Sequence, residues 1–176
     1  MTNSAKRKIL GAILAGGQSR RFGSDKAQAL YEGQRLIDRV AASLTKQTDA
    51  LVVLGRVEPG FTCLPDRPEP NMGPLGGVCA ALHYAQGHGF EAVLAAPCDV
   101  PNLPTDLLDT LEGKAAAIIQ SQPAVGYWPV SLAISLEEYL LRGERRIYNF
   151  AEQVGARQMS LDPQLMNINE VGDLPG

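Results

Sequence analysis

The chain has 176 residues, of which 45% are hydrophobic and 20% charged, with 16 Lys and Arg against 19 Asp and Glu for a formal net charge of -3. That length and balance predict one soluble domain over residues 1–176 with a core of its own, and they exclude a disordered tail and a charge-driven nucleic-acid coat. Small anions remain compatible, because two or three placed cations are enough to hold one.

Cys63, Cys79 and Cys98 are an odd, dispersed set without CxxC spacing. The pattern predicts a reducing, cytoplasmic setting and argues against a disulfide scaffold or a structural zinc site. His83 and His88 are five residues apart, too far for a metal pair on one helical face. The apolar run after the polar start MTNSAKRK is too short for a membrane span and makes no convincing export signal.

The first predicted element is a buried strand beginning at Ile9, and it runs straight into AGGQSRRFGSDKA. Gly16 and Gly17 let the backbone turn its N–H groups inward around oxygen atoms, while Arg20, Arg21 and Lys26 bring positive charge. Such a loop suits a nucleoside triphosphate; the plain alternative is an ordinary strand-to-helix turn. Neither the P-loop pattern nor GxGxxG is present.

Leu36, Ile37, Val40, Ala41 and Leu44 recur with helical spacing and predict a helix over about 34–46. Ala50 to Leu54 reads as a second buried strand and Phe61 to Leu64 as a short third one. The breaker-rich stretch 66–77, DRPEPNMGPLGG, follows as loop. Asp66 is either a contact to substrate or metal or a turn cap. A helix then runs from Leu75 to about Ala85. The βαβ start favours a parallel sheet covered by helices.

Ala92 to Ala96 predicts another buried strand, ended by Pro97. Asp99 emerges just past it, where open α/β sheets bind ligands, and by itself its carboxylate reads as a turn or helix cap before it reads as an Mg²⁺ ligand. A helix from about Pro104 to Leu111 and a strand from Ala115 to Ile119, broken by Pro123, come next. Tyr127 to Ile134 carries an internal proline and reads as a bent or edge strand. Trp128 in it is a core or rim aromatic before it is a stacking platform. Two helices follow, around LEEYLL and ERRIYNFAEQVG. Arg145 and Arg146 open the second, as an anion contact or a solvated pair. After a last strand at Gln158 to Leu161, Asn167 and Asn169 share one side of an extended segment, as ligands or as turn formers.

Taken together, Leu14 to Ala27, which follows LAGGxSxRxGxDKA, with GPLGG at 73–77, PCDVP at 97–101, GERR at 143–146 and NIN at 167–169, resembles the molybdenum cofactor guanylyltransferases within the nucleotidyltransferase superfamily. The resemblance spans nearly the whole chain. It implies a three-layer α/β/α, Rossmann-like domain with a mostly parallel sheet. It implies a cytoplasmic enzyme that uses Mg²⁺ to transfer GMP from GTP to Mo-molybdopterin, releasing pyrophosphate. Transient contact with cofactor-assembly proteins and apoenzymes belongs to the same expectation, and nucleic acid and membrane do not.

By that resemblance Leu14, Ala15, Gly16 and Gly17 contact guanine and ribose, Lys26 and Arg20 hold phosphate, and Asp66 lies near the nucleotide. Asp99 binds Mg²⁺, Asn167 and Asn169 support the metal or the pterin, and Arg145 or Arg146 faces the acceptor. A phosphate nucleophile is ionised near neutral pH, its second pKa being about 6, so no protein base is required. Two departures stand out: LVVLGRVEPG lacks the asparagine that relatives often place near the strand end, and the segment 119–127 is short. Alternative readings are cytidylyl or sugar-phosphate nucleotidyl transfer, or a non-catalytic protein that binds and passes on the cofactor.

Overall fold

A computed structural model describes residues 6–17 and 25–175. Its main sheet has seven strands: β1 (Ile9–Leu14), β4 (Ala50–Leu54), β5 (Thr62–Leu64), β6 (Ala92–Pro97), β7 (Ala117–Ile119), β8 (Gln122–Pro129) and β9 (Arg157–Met159), in the order β5-β4-β1-β6-β8-β7-β9. A separate two-stranded hairpin pairs β2 (Leu30–Tyr31) with β3 (Gln34–Arg35). Among the described residues the α-helices are α1 (Leu36–Thr45), α2 (Pro74–Gly87), α3 (Leu107–Leu111), α4 (Ala133–Leu141) and α5 (Ile147–Gln153).

The apolar alternation of the strands explains the three layers. Leu10, Ala12 and Leu14 of β1 face one core with Val52, Leu54, Val93 and Ala95, closed by α2, α4 and α5. Ile9 and Ile13 face a second core with Val53, Leu94 and Ala96, closed by α1 and α3. Helix α1 buries the expected stripe, Leu36, Ile37, Val40, Ala41 and Leu44. Helix α2 starts with Pro74, whose missing N–H costs nothing in a first turn. Its small residues let it lie close on the sheet: a Cβ at Gly77 would stand 2.9 Å from Leu14 Cδ2.

Strands β4, β1 and β6 are parallel, and Leu14 is in register with both Leu54 and Pro97. Three carboxyl ends therefore finish at one level, which is where the loops carrying the candidate site residues leave the sheet. The sheet is mostly parallel, as the resemblance implies, with β8 antiparallel to both its neighbours.

Several sequence expectations change. The expected strand from Tyr127 to Ile134 ends at Pro129, with Val130–Leu132 a 3-10 turn and Ala133 the start of α4, and its strand β8 lies inside the sheet between β6 and β7 rather than at an edge; Pro129 is its last residue, and Pro123 lies where the register shifts between Ile118 and Ile119. Pro123 thus opens a strand after a tight turn at Gln120 and Ser121 rather than breaking β7. Helix α3 begins at Leu107, so Pro104 precedes it instead of standing in its first turn. Trp128 is the core aromatic that the sequence leads one to expect: it is 1% exposed and packs 5.8 Å from the Phe150 ring. No helix among the described residues is long and apolar enough to cross a membrane.

Candidate functional site

The loop that leaves β1 is pinned to its neighbours before it reaches the glycines. Ala15 N donates to Leu54 O at 3.0 Å and Cys98 N donates to Leu14 O at 3.1 Å, so the exits of β4, β1 and β6 stay joined. Gly16 then passes against Gly55, where a Cβ would fall 2.5 Å from Gly16 Cα. Gly55 also has a φ of 82°, which makes a side chain there doubly unfavourable. The same imagined Cβ lies 3.5 Å from Asp66 Oδ1. Leu14 to Gly17 and Asp66 therefore border one place at the sheet edge.

Asp66 accepts from Met72 N at 3.2 Å, closing the proline-rich loop back on its own start. It is a turn-closing residue in this respect, and its second oxygen remains beside the glycine crossing. Burial pushes its carboxyl above the usual carboxylate range, against the smaller opposing effect of the Met72 bond.

Arg20 and Arg21 lie outside the described residues. The chain returns at Asp25, whose Oδ1 accepts from Ala27 N at 3.2 Å and caps the 3-10 turn Lys26–Gln28. Lys26 Nζ donates to Asp99 Oδ2 at 2.8 Å, and both side chains are more than four-fifths covered. Seventy-three positions separate the two residues in sequence, so this pair joins the loop after β1 to the loop after β6.

The chain's end completes the cluster. Ile168 N donates to Asp99 O at 2.9 Å, and Met166 N donates to Asn102 Oδ1 at 2.7 Å. Ile168 is 1% exposed and packs on Leu36, which fixes the residues on either side of it. With its nitrogen toward Asp99, the Asn167 amide donates to Oδ2 at 2.9 Å and Oδ1 at 3.3 Å, and its other end lies 3.2 Å from the Asn169 side chain. A half-turn of the amide presents an oxygen to the same spot. One carboxylate plus an amide that can offer oxygen is a hard donor set, and it fits Mg²⁺, which takes few protein ligands and fills its octahedron with phosphate and water.

Arg145 and Arg146 are not joined to this cluster by any described contact. Arg145 Nη1 donates to Leu140 O at 2.8 Å and Glu144 O at 2.7 Å, while Arg146 is exposed at the start of α5.

Sequence reasoning missed a charged clamp behind Lys26. Arg56 donates to both oxygens of Asp25 at 2.7 Å, a bidentate pair that holds the Asp25 carboxyl below its ordinary range. Behind it lies Glu58, 3% exposed, which accepts from Arg35 Nη1 at 2.7 Å and Gln28 Nε2 at 3.1 Å and approaches Arg56 Nε to 3.4 Å. Arg56 stands in LVVLGRVEPG, the stretch that departs from the pattern of the resemblance. That departure was the available signal, but nothing local says which acid the arginine would meet.

The model of the MobA-like NTP transferase domain matches residues 11–157. A molybdenum cofactor guanylyltransferase from Cereibacter sphaeroides is 36% identical over 183 residues, covering 95% of this chain and 94% of the relative. Another from Acidiphilium cryptum is 33% identical, covering 99% and 96%. Among solved structures, molybdopterin-guanine dinucleotide biosynthesis protein A from Archaeoglobus fulgidus superposes with a TM-score of 0.76 at 24% identity, covering 93% of this chain and 94% of that one. A 2-C-methyl-D-erythritol 4-phosphate cytidylyltransferase from Thermus thermophilus superposes at 0.69 with 13% identity, covering 92% and 93%. The structural likenesses show the nucleotidyltransferase fold, and the sequence matches place the chain within it: it belongs to the MobA-like NTP transferase family, among the molybdenum cofactor guanylyltransferases.

Proposed function

We propose that this chain transfers GMP from GTP to Mo-molybdopterin, forming the guanine dinucleotide cofactor and pyrophosphate. The observation that carries the reading is the meeting of Lys26, Asp99 and Asn167 at the carboxyl edge of the sheet, in a chain whose relatives are named for this transfer. Guanine and ribose lie along Leu14 to Gly17 and Asp66. The triphosphate reaches Lys26, with Arg20 as a second phosphate contact.

Before substrate arrives, Lys26 and Asp99 neutralise each other. Binding separates their tasks: Lys26 turns its ammonium to phosphate, and Asp99 turns its carboxylate to the cation. Asp99, aided by the Asn167 amide oxygen, would hold Mg²⁺, which supplies electrophilic stabilisation to the triphosphate oxygens. A terminal phosphate oxygen of the acceptor attacks the α-phosphorus, forming one P–O bond as the bond to the β-phosphate oxygen breaks. Lys26 offsets the negative charge gathering on the departing pyrophosphate. No side chain takes a proton, because the nucleophile is already ionised.

Asn169 braces Asn167, and Arg145 or Arg146 meets the acceptor at a distance from the reacting atoms. The three free thiols, Cys63, Cys79 and Cys98, favour a reducing cytoplasm as the workplace, with transient contact to assembly proteins and apoenzymes at hand-over.

The test is a panel of nucleotides with Mo-molybdopterin and Mg²⁺, read by mass analysis of the products. Guanine dinucleotide cofactor and pyrophosphate are expected with GTP. Product with CTP alone would reassign the reaction to cytidylyl transfer, and tight binding without turnover would make the chain a cofactor carrier.

A further inference from the structure

A cluster unused by the proposed transfer lies between α2 and α4. Cys79 and His83 are four residues apart on α2, one turn, and so share the face that packs toward α4. Glu137 of α4 completes the group: Cys79 Sγ, a His83 ring nitrogen and a Glu137 oxygen all lie within 4.8 Å of one another. Glu137 Oε1 accepts from Arg67 Nη2 at 2.9 Å, which leaves Oε2 turned toward His83 Nε2 at 3.2 Å. Despite that approach Nε2 is buried without an aligned hydrogen bond, so a polar nitrogen points into the space that the thiol and carboxylate border.

We propose that Cys79, His83 and Glu137 form a binding site for a borderline-soft divalent cation of the zinc class, separate from the Asp99 site. Thiolate, imidazole and carboxylate are the ligand types zinc takes. Three protein ligands leave a fourth position for water, and the thiolate disfavours Mg²⁺. One thiolate and one carboxylate balance the two positive charges. Arg67 keeps its bond to Oε1 and orients the carboxylate from outside, the usual task of a group behind a metal ligand.

Burial pushes the Cys79 thiol up to about 12, so without metal it is protonated. Binding replaces the S–H bond with a metal–sulfur bond and releases that proton to water, which makes uptake stronger as pH rises. Access is from the His83 and Glu137 side, where the side chains are 20% and 23% exposed while Cys79 is fully buried.

The experiment uses the full chain, stripped with a chelator, kept reduced by a thiol-free reductant and titrated with Co²⁺ as a spectroscopic stand-in. One equivalent should bind with a thiolate-to-cobalt charge-transfer band, and Zn²⁺ should then displace it. Cys79→Ser should abolish the band. His83→Gln, a change at a partly exposed position that the fold tolerates more readily, should weaken Co²⁺ binding by about tenfold or more, the scale on which metal sites respond even to altered outer groups. Absence of the band in the wild-type chain, or a band unchanged in His83→Gln, would overturn the proposal. None of these readings depends on guanylyl transfer.

Discussion

At the scale of single residues, Lys26 and Asp99 are bonded to each other yet are expected to fail differently. Asp99→Ala removes the carboxylate of the proposed cation site, and loss of a comparable electrostatic contact typically lowers kcat by about 10²–10³-fold. Its fold should persist, since the backbone carbonyl of residue 99 still accepts from Ile168 N. Lys26→Ala should lower kcat on a similar scale while sparing Mg²⁺ affinity, whereas Asp99→Ala should raise the Mg²⁺ requirement. Steady-state kinetics across a Mg²⁺ series separates the two, and equal Mg²⁺ dependence in both variants would reject the division of labour.

The clamp behind Lys26 makes a prediction about pH. Arg56 lowers the Asp25 pKa chiefly through its hydrogen bond. A carboxyl with a depressed folded value contributes stability that is present above its unfolded pKa, about 3.9, and is lost as pH falls through the folded value. Thermal unfolding of Arg56→Ala should therefore lie below wild type from pH 5 to 8, and the gap should close only below about pH 4. The stability difference should be small, about 1 kcal/mol or less, because Asp25 is half-exposed. A larger rise in KM for GTP should accompany it, since Asp25 immediately precedes Lys26.

At the scale of elements, Ile168 is the buried anchor of the closing segment, with Leu165 and Leu174 only partly buried beside it. Ile168→Ala removes the side chain packed on Leu36, and truncating a buried Ile costs about 2–5 kcal/mol where the chain cannot collapse. Residues 164–169 can instead lift away, so the global loss should fall toward the lower limit while activity drops steeply as Asn167 leaves Asp99. Hydrogen exchange should show faster exchange at the Ile168 and Met166 amides with the strands of the sheet unaffected. Uniform loss of protection would instead mean that the segment supports the whole fold.

The same elements show what the sequence made legible. Strands β1, β4 and β6 were readable because each is a short apolar run buried on both faces, a purely local property. Strand β8 was misread because proline is a local signal, whereas its tolerance depends on which partner residues stand opposite. Asp99 and Lys26, which the structure pairs, both stand in motifs that single them out in the sequence. Arg56, Glu58 and Ile168 were not singled out: the clamp joins residues 31 positions apart, and Ile168 is an anchor only because Leu36 lies beneath it.

At the scale of the whole molecule, the site draws on the exits of β1, β5 and β6 and on the chain's last segment, so a bound nucleotide should tie together parts that are otherwise joined mainly through the sheet. A ligand that binds only the folded state stabilises it by RT ln(1 + [L]/Kd), about 2.7 kcal/mol at one hundred times Kd. GTP with Mg²⁺ should therefore raise the unfolding temperature of the wild-type chain by several degrees, since 1 kcal/mol corresponds to about 2–4 °C for a chain of this size. Chain shortened after Pro163 retains every strand and helix of the sheet layers but lacks Asn167. It should unfold only modestly earlier without ligand, and its GTP-dependent gain should shrink at a fixed nucleotide concentration because Kd has risen. Raising GTP in proportion should recover the gain. A shift that never returns at saturating GTP would mean that the last segment builds the nucleotide site rather than tightening it.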